Sequence, residues 1–225
     1  MDALVKDLRI ALRMFVSQPA LSAMAVFTLA MGIGANGAIF SFAKVTLLDA
    51  LPYRDEARLV MVWQDYQRRG GPAREWFSYP NFVDYRTRSR TLEDMAVFSA
   101  ESFVITGSGE PEAVAGERVS ASFFDVLGAR FVQGRGFRAE EELGGAPPVA
   151  VLSHRLWQKR FHGDPAIVGG GIEVDDRPYT VVGVLAPEFY PPFESDAELV
   201  LPLTVPPPEP NARRQVTLRA VGRMR

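Results

Sequence analysis

The chain has 225 residues, 47% of them hydrophobic and 23% charged, with a net charge of -2 and no cysteine. That balance offers no cationic footprint for nucleic acid. The absence of cysteine removes disulfides and thiolate metal sites, and the length accommodates a membrane segment together with one domain that buries a sizeable core.

Leu4, Leu8, Ala11, Leu12 and Phe15 fall on one helical face, and Lys6, Arg9 and Arg13 gather on another. An apolar stripe beside a cationic one suits a helix lying on an anionic membrane surface, or an amphipathic helix packed on a partner. Residues 1–18 are expected to form this helix. From Leu21 to Ala43 no residue is charged. At 1.5 Å per residue that run spans roughly 34 Å, against about 30 Å for the hydrocarbon core of a bilayer. Pro19 suits the first helical turn, Pro52 bounds the far end, and Asn36 is the one strongly polar side chain between Leu21 and Ala43. A transmembrane helix is therefore expected over 19–48. Ser41-Phe42-Ala43 loosely resembles a signal-peptide cleavage site, but the patterned segment before the apolar run and the length of that run favour a retained helix.

Lys6, Arg9 and Arg13 precede the span, while Lys44, Arg54 and Arg58 follow it, so the positive-inside count is nearly balanced. A large following domain translocates largely regardless of charge, so the N-terminus is expected on the cytoplasmic side. Ala30, Gly34 and Ala38 recur every four residues, with Gly37 and Ser41 beside them. Small residues at this spacing let two membrane helices approach closely, although glycine and alanine are also common in membrane helices generally.

The remainder, 49–225, reads as one mixed domain. Leu59 to Gln64 forms a strand, and residues 68–74 a Gly/Arg-rich loop. Ser78-Tyr79-Pro80-Asn81 starts a helix through Arg88, with Phe82 and Tyr85 as buried positions. Separate strands are expected near 96–100, 102–106 and 113–120, then a short helix over 121–127 that stops at Gly128. Glu140-Glu141-Glu142 and Gly144-Gly145 read as a solvated acidic connector. Val149-Ala150-Val151-Leu152 is a buried strand, and Ser153 caps a helix to Phe161. Ile172-Glu173-Val174 and Tyr179-Thr180-Val181-Val182 flank Asp175-Asp176-Arg177-Pro178 as a hairpin. Strands at Leu199-Val200-Leu201 and Val216 to Val221 complete the chain. Helices and strands mix without steady βα alternation, so the fold class is α+β.

No catalytic, cofactor-binding or metal constellation emerges. His154 and His162 sit eight apart with no HExxH pattern. Ser153-His154 are only sequence neighbours, and Ser153 reads better as a helix cap. Gly169-Gly170-Gly171 and Gly134-Arg135-Gly136 fit no phosphate-binding motif. Asp175-Asp176 reads as a turn. Trp63, Trp76 and Trp157 read as core or rim anchors.

Leu29-Ala30-Met31-Gly32-Ile33-Gly34-Ala35-Asn36, followed by the stretch 47–53, resembles the first membrane helix of bacterial permeases of the FtsX/MacB type. The domain resembles the MacB-like periplasmic core domain through several ordered pieces: Ser78-Tyr79-Pro80-Asn81-Phe82; Val119-Ser120-Ala121-Ser122-Phe123-Phe124-Asp125-Val126-Leu127-Gly128; Val149 to Ser153; Leu156-Trp157; Phe161 with Gly163-Asp164-Pro165; Ile167-Val168-Gly169; and Tyr179 to Val184. The flavour is that of the duplicated orphan permeases of acidobacteria. Gly170 departs from the family's basic or larger residue, from which a looser loop is expected. The family continues through further membrane helices, so the resemblance implies that this chain is the first part of a permease.

The resemblance implies an inner-membrane permease subunit of an ABC-type transporter, its N-terminus cytoplasmic and its main domain periplasmic. It would couple an ATPase supplied in trans to periplasmic work. Implied partners are membrane lipid, other permease helices or a second permease copy, and a periplasmic adaptor. Lys6, Arg9 and Arg13 would lie where the ATPase docks. Two alternatives remain beside this: a membrane-tethered binding module without transport activity, and a membrane-anchored enzyme, which the missing chemistry disfavours.

Overall fold

The structure is a computed structural model that describes residues 18–43, 53–107, 109–189, 191–192, 196–205 and 211–225; the side chains of 21, 25, 41–43 and 69 lie outside that description. The chain divides into two compact units, 1–51 and 52–225.

In the first unit, helix α1 runs over Pro19–Ala43. Its 25 residues extend about 37 Å at the α-helical rise. It is apolar all round: Met24, Val26, Phe27, Leu29 and Ile39 point in different directions and all are exposed. A helix without a polar face has no aqueous side, and the bilayer is the environment that suits it. The hydroxyl of Thr28 donates back to the Met24 carbonyl at 2.8 Å, which satisfies a polar group inside the apolar stretch. Among the described residues, α1 is the one helix long and apolar enough to cross a membrane.

The second unit is built on one nine-stranded sheet. Its strands are β1 (Leu59–Val62), β2 (Leu92–Thr106), β3 (Glu112–Val119), β4 (Phe131–Gly134), β5 (Val149–Leu152), β6 (Gly171–Val174), β7 (Arg177–Leu185), β8 (Leu199–Pro202) and β9 (Arg219–Met224). The order is β1-β9-β2-β3-β8-β5-β7-β4, with β6 bridging β2 and β7. Two pairings, β3 with β8 and β5 with β7, are parallel; the rest are antiparallel. Through β6 the strands β2, β3, β8, β5, β7 and β6 close into a cycle. Closure removes the free edges that those strands would otherwise present.

Three α-helices among the described residues complete the unit: α2 (Tyr79–Arg88), α3 (Phe123–Leu127) and α4 (His154–Phe161). Period-2 alternation distributes the strand side chains between two faces. Ala96 and Phe98 of β2, Val149 and Val151 of β5, and Val200 of β8 join Phe123, Phe124, Val126 and Leu127 of α3 in one cluster. On the other face Phe103 and Ile105 of β2, Ala150 and Leu152 of β5, and Leu199 and Leu201 of β8 pack with Leu156 of α4. Met95 and Val97 extend that face to Phe82 of α2.

The 15-residue β2 replaces the two short strands expected at 96–100 and 102–106. Ala100 and Glu101 are exposed, which makes the sequence read as a break. They are nevertheless held in the ladder by Glu117 and Gly116 of β3. β2 changes partners along its length, from β9 to β3 to β6. β4 was not expected at all. The last strand lies at Arg219–Met224 rather than 216–221, because Leu218 is taken by a separate bridge to Phe77.

The hairpin at β6–β7 lies where expected but is tighter: Asp175 and Asp176, at φ of 48° and 59°, form a two-residue turn, and Arg177 and Pro178 already pair with Val174 and Glu173 in the ladder. The Asp175 carboxylate also accepts from the Val104 amide at 2.9 Å, fastening the turn to β2. Gly170 sits in a tied loop, not a loose one: its amide donates to Ile167, its carbonyl accepts from Val181, and the neighbouring Gly169 amide donates to Val181.

Candidate functional site

The residues expected to act at the membrane divide into two groups. Lys6, Arg9 and Arg13 lie outside the described residues. Ala30, Gly34, Gly37 and Ala38 are exposed on α1. Ser41 belongs to the same helix, with its side chain outside the description.

Most of the motif residues in the domain do structural work. Ser78 precedes α2, Pro80 occupies its first turn, and Phe82 is 2% exposed. Ser120 accepts from the Val97 amide at 3.0 Å, and Ser122 donates to the Met95 carbonyl at 2.9 Å, so both hydroxyls stitch the start of α3 to β2. Ser153 caps α4 by accepting from the Leu156 amide at 3.1 Å. The Trp157 indole donates to the Asp164 carbonyl at 2.9 Å. His154 lies at the start of α4 against Trp157, whereas His162 closes its other end at φ 52°. Tyr85, expected to be buried, is 46% exposed; its ring meets Phe77 edge-on and its outer face stays open.

That open face lines a groove of about 670 Å³ between α2 and the edge strand β1. Val60, Val62, Trp63, Tyr85, Leu92 and Met224 contribute to its walls. One end is held by a polar network rooted in buried Gln64. Gln64, 2% exposed, donates to the Trp76 carbonyl and accepts from Tyr66 at 2.9 Å and Asn81 at 2.7 Å. Asn81 in turn accepts from Arg213 at 2.7 Å, and Arg213 pairs with Asp84 at 2.8 Å. Satisfying every member of such a network fixes the spacing of the groove walls.

Of the acidic run, Glu140 and Gly144-Gly145 are exposed as a solvated connector would be, whereas Glu141 and Glu142 are half-buried and held. Ala139–Glu142 forms a 3-10 turn, with Glu141 bound in a fork by Arg135 at 2.7 and 3.0 Å. Burial pushes the Glu141 carboxyl up, but the bonds from Arg135 and the Arg138 amide outweigh it and hold the pKa below the ordinary 4.5. Glu142 is raised, chiefly by burial, against the opposing pull of the Ala121 amide and Arg86. Glu112 is lowered, first by its hydrogen bond from Lys159 and further by Arg160.

These shifts give opposite contributions. Glu112 and Glu141 stabilise the fold above the ordinary 4.5 and lose that contribution as pH falls through their lower folded values. Glu142 contributes most below that value and loses its share as pH rises through its raised folded value. Glu141 is held by the most groups, a two-bond fork from Arg135 and the Arg138 amide, so acidification below 4.5 is expected to lower the Tm of the full chain in detergent. Thermal melts from about pH 6 to about pH 3 check this; a constant or rising Tm would contradict it.

Arg223 stands out in the sequence only as the end of the family-like stretch Val221-Gly222-Arg223, yet it is 1% exposed. Its guanidinium donates to the carbonyls of Val126 at 2.8 Å and Arg54 at 2.6 Å. Burial, then the nearby Arg54 and Arg58, push its pKa down. A Gly-Arg pair inside an apolar strand pattern was the available signal.

A model of the MacB-like periplasmic core domain matches residues 22–221. Among solved structures, the periplasmic region of MacB from Actinobacillus actinomycetemcomitans aligns with a TM-score of 0.52 at 12% identity, covering 74% of this chain and 73% of that one. A domain assigned to a permease protein of Porphyromonas gingivalis aligns with a TM-score of 0.56 at 15% identity, covering 77% of each chain. At these identities the likeness is one of fold. No curated protein sequence matches the chain. The family match spans the larger part of α1 and nearly all of the sheet domain, so this chain belongs to the MacB-like periplasmic core domain family.

Proposed function

We propose that the chain acts as a permease subunit of an ABC-type transporter, passing the motion of a partner ATPase to a domain that works in the periplasm. The observation that carries this reading is the extent of the family match, 22–221, which takes in most of α1 and the domain as one unit. Residues 1–18 lie on the cytoplasmic surface of the inner membrane, 19–48 cross it, and 49–225 stand in the periplasm. Lys6, Arg9 and Arg13 meet lipid headgroups and the ATPase supplied in trans. Ala30, Gly34, Gly37, Ala38 and Ser41 face another permease helix or a second copy. A periplasmic adaptor completes the assembly, and ATP hydrolysis belongs to the partner.

A photo-crosslinking residue placed at Arg9 or Arg13 in native membranes tests this. It is expected to capture an ATP-hydrolysing protein, with a yield that changes when ATP is added. Capture of lipid alone at both positions would sink the reading. The groove between α2 and β1 favours a second one, a tethered module that binds a periplasmic partner without an ATPase. That reading predicts periplasmic crosslinks from Tyr85 with none from Arg9 or Arg13.

A further inference from the structure

The connector from α1 enters the described domain at Tyr53, and the next two residues are tied on several sides. The Arg54 amide donates to the Leu127 carbonyl at 3.1 Å. The Arg54 carbonyl accepts from Arg223 Nη2 at 2.6 Å, and Arg223 Nε donates to the Val126 carbonyl at 2.8 Å. A longer contact of 3.5 Å joins Arg223 Nη1 to the Asp55 carbonyl. Gly128, at φ 68°, closes α3 directly against this strap; a Cβ there would lie 2.4 Å from Arg54 Cβ. The Tyr53 ring meets Phe189 edge-on at 5.9 Å.

The chemistry at the centre is costly for simple stability. An apolar side chain of similar size would fill the space of Arg223 without desolvating a charge. What a guanidinium adds is a planar fork that binds two separate chain segments at once. Here one segment is the chain arriving from the membrane helix and the other is the end of α3. Arg223 itself sits on β9, which is hydrogen-bonded on one side to β1 and on the other to β2. Load arriving at Arg54 therefore passes to α3 and, through Arg223, to two strand ladders.

We propose that Arg223, with the Arg54–Leu127 pairing and Gly128, forms a mechanical clamp through which movement of the membrane helix is delivered to α3 and the sheet. The inference rests on the coupling role proposed above, but the clamp can be tested with no partner present.

The chain has no cysteine, so engineered cysteines give unique attachment points for pulling the full chain in lipid nanodiscs. In one geometry load enters by the connector, between Asp49→Cys and Gln158→Cys. In the other it bypasses the connector, between Ala73→Cys and Gln158→Cys. Arg223→Met is expected to speed the first opening at fixed load by about a hundredfold in the connector geometry, the rate equivalent of two charge-assisted hydrogen bonds. It should leave the bypass geometry unchanged. Gly128→Ala should show the same selectivity, and it carries the comparison if Arg223→Met does not fold. Equal acceleration in both geometries, or none in the connector geometry, overturns the clamp. Selective acceleration without an ATPase crosslink at Arg9 or Arg13 upholds the clamp and overturns the coupling role.

Discussion

Phe124→Ala is expected to lower the unfolding free energy of the domain by about 4 kcal/mol, the loss typical of truncating a buried phenylalanine. Phe124 is 2% exposed and lies in α3 at the centre of an aromatic cluster. Its ring centroid stands 5.6 Å from Phe123, 5.3 Å from both Phe131 and Phe137, and 6.5 Å from Phe189. Truncation removes the buried area of a full ring and leaves a cavity in the cluster that α3 shares with β4, Phe137 and Phe189. It also forfeits the edge-on contacts with Phe123 and Phe131, each worth roughly 1 kcal/mol beyond area. Against a typical domain stability of about 5–15 kcal/mol, that loss is a large fraction of the whole. Equilibrium denaturation of the full chain in detergent, followed by tryptophan fluorescence, measures it. A loss under about 1 kcal/mol would mean that the cluster is not the core of this domain.

Met31→Arg combined with Ile33→Arg is expected to abolish membrane insertion. Met31 and Ile33 lie near the middle of α1, and both side chains are exposed. An arginine at the centre of a transmembrane helix costs about 2.5–3.5 kcal/mol by insertion scales, so the pair costs roughly 6 kcal/mol. Neither position is close enough to an end of α1 for a long side chain to reach water easily. Alkaline carbonate extraction reads the outcome: the unmodified chain stays in the pellet and the double variant appears in the supernatant. A double variant retained as an integral membrane protein would remove α1 from its role as the anchor.

Much of the architecture was legible because its signals are local. Ser153 marks the start of α4 through a hydroxyl that its own sequence neighbours use. Asp175-Asp176 marks the β6–β7 hairpin because few other pairs tolerate two left-handed residues. The uncharged run of α1 needs no tertiary context. The misreadings share one cause. Glu101 looks like a break in β2, yet a strand continues wherever a partner supplies the ladder, and β3 supplies it from beyond a turn. β4 is a short strand whose pairing with the end of β7 is invisible locally. Tyr85 has helical spacing from Phe82 and still faces outward, because the groove leaves its outer side uncovered.

The junction was the least legible part. Arg223 lies 97 residues from Val126 and 169 from Arg54. Sequence patterns place arginine on surfaces, and only the folded chain brings three carbonyls around this one. The resemblance to a permease family pointed to the right domain, while the residues that carry its motifs, such as Ser120, Ser122 and Phe124, turned out to hold the core together.

The proposed topology has one helix spanning a bacterial inner membrane, with the N-terminus inside and the core domain outside. Since the chain lacks cysteine, single cysteines at Ala3 and at Gln158 can be probed in intact cells with a membrane-impermeant maleimide. Gln158→Cys is expected to be labelled once the outer membrane is permeabilised, and Ala3→Cys only after the inner membrane is opened. Labelling of Ala3→Cys before Gln158→Cys would contradict it.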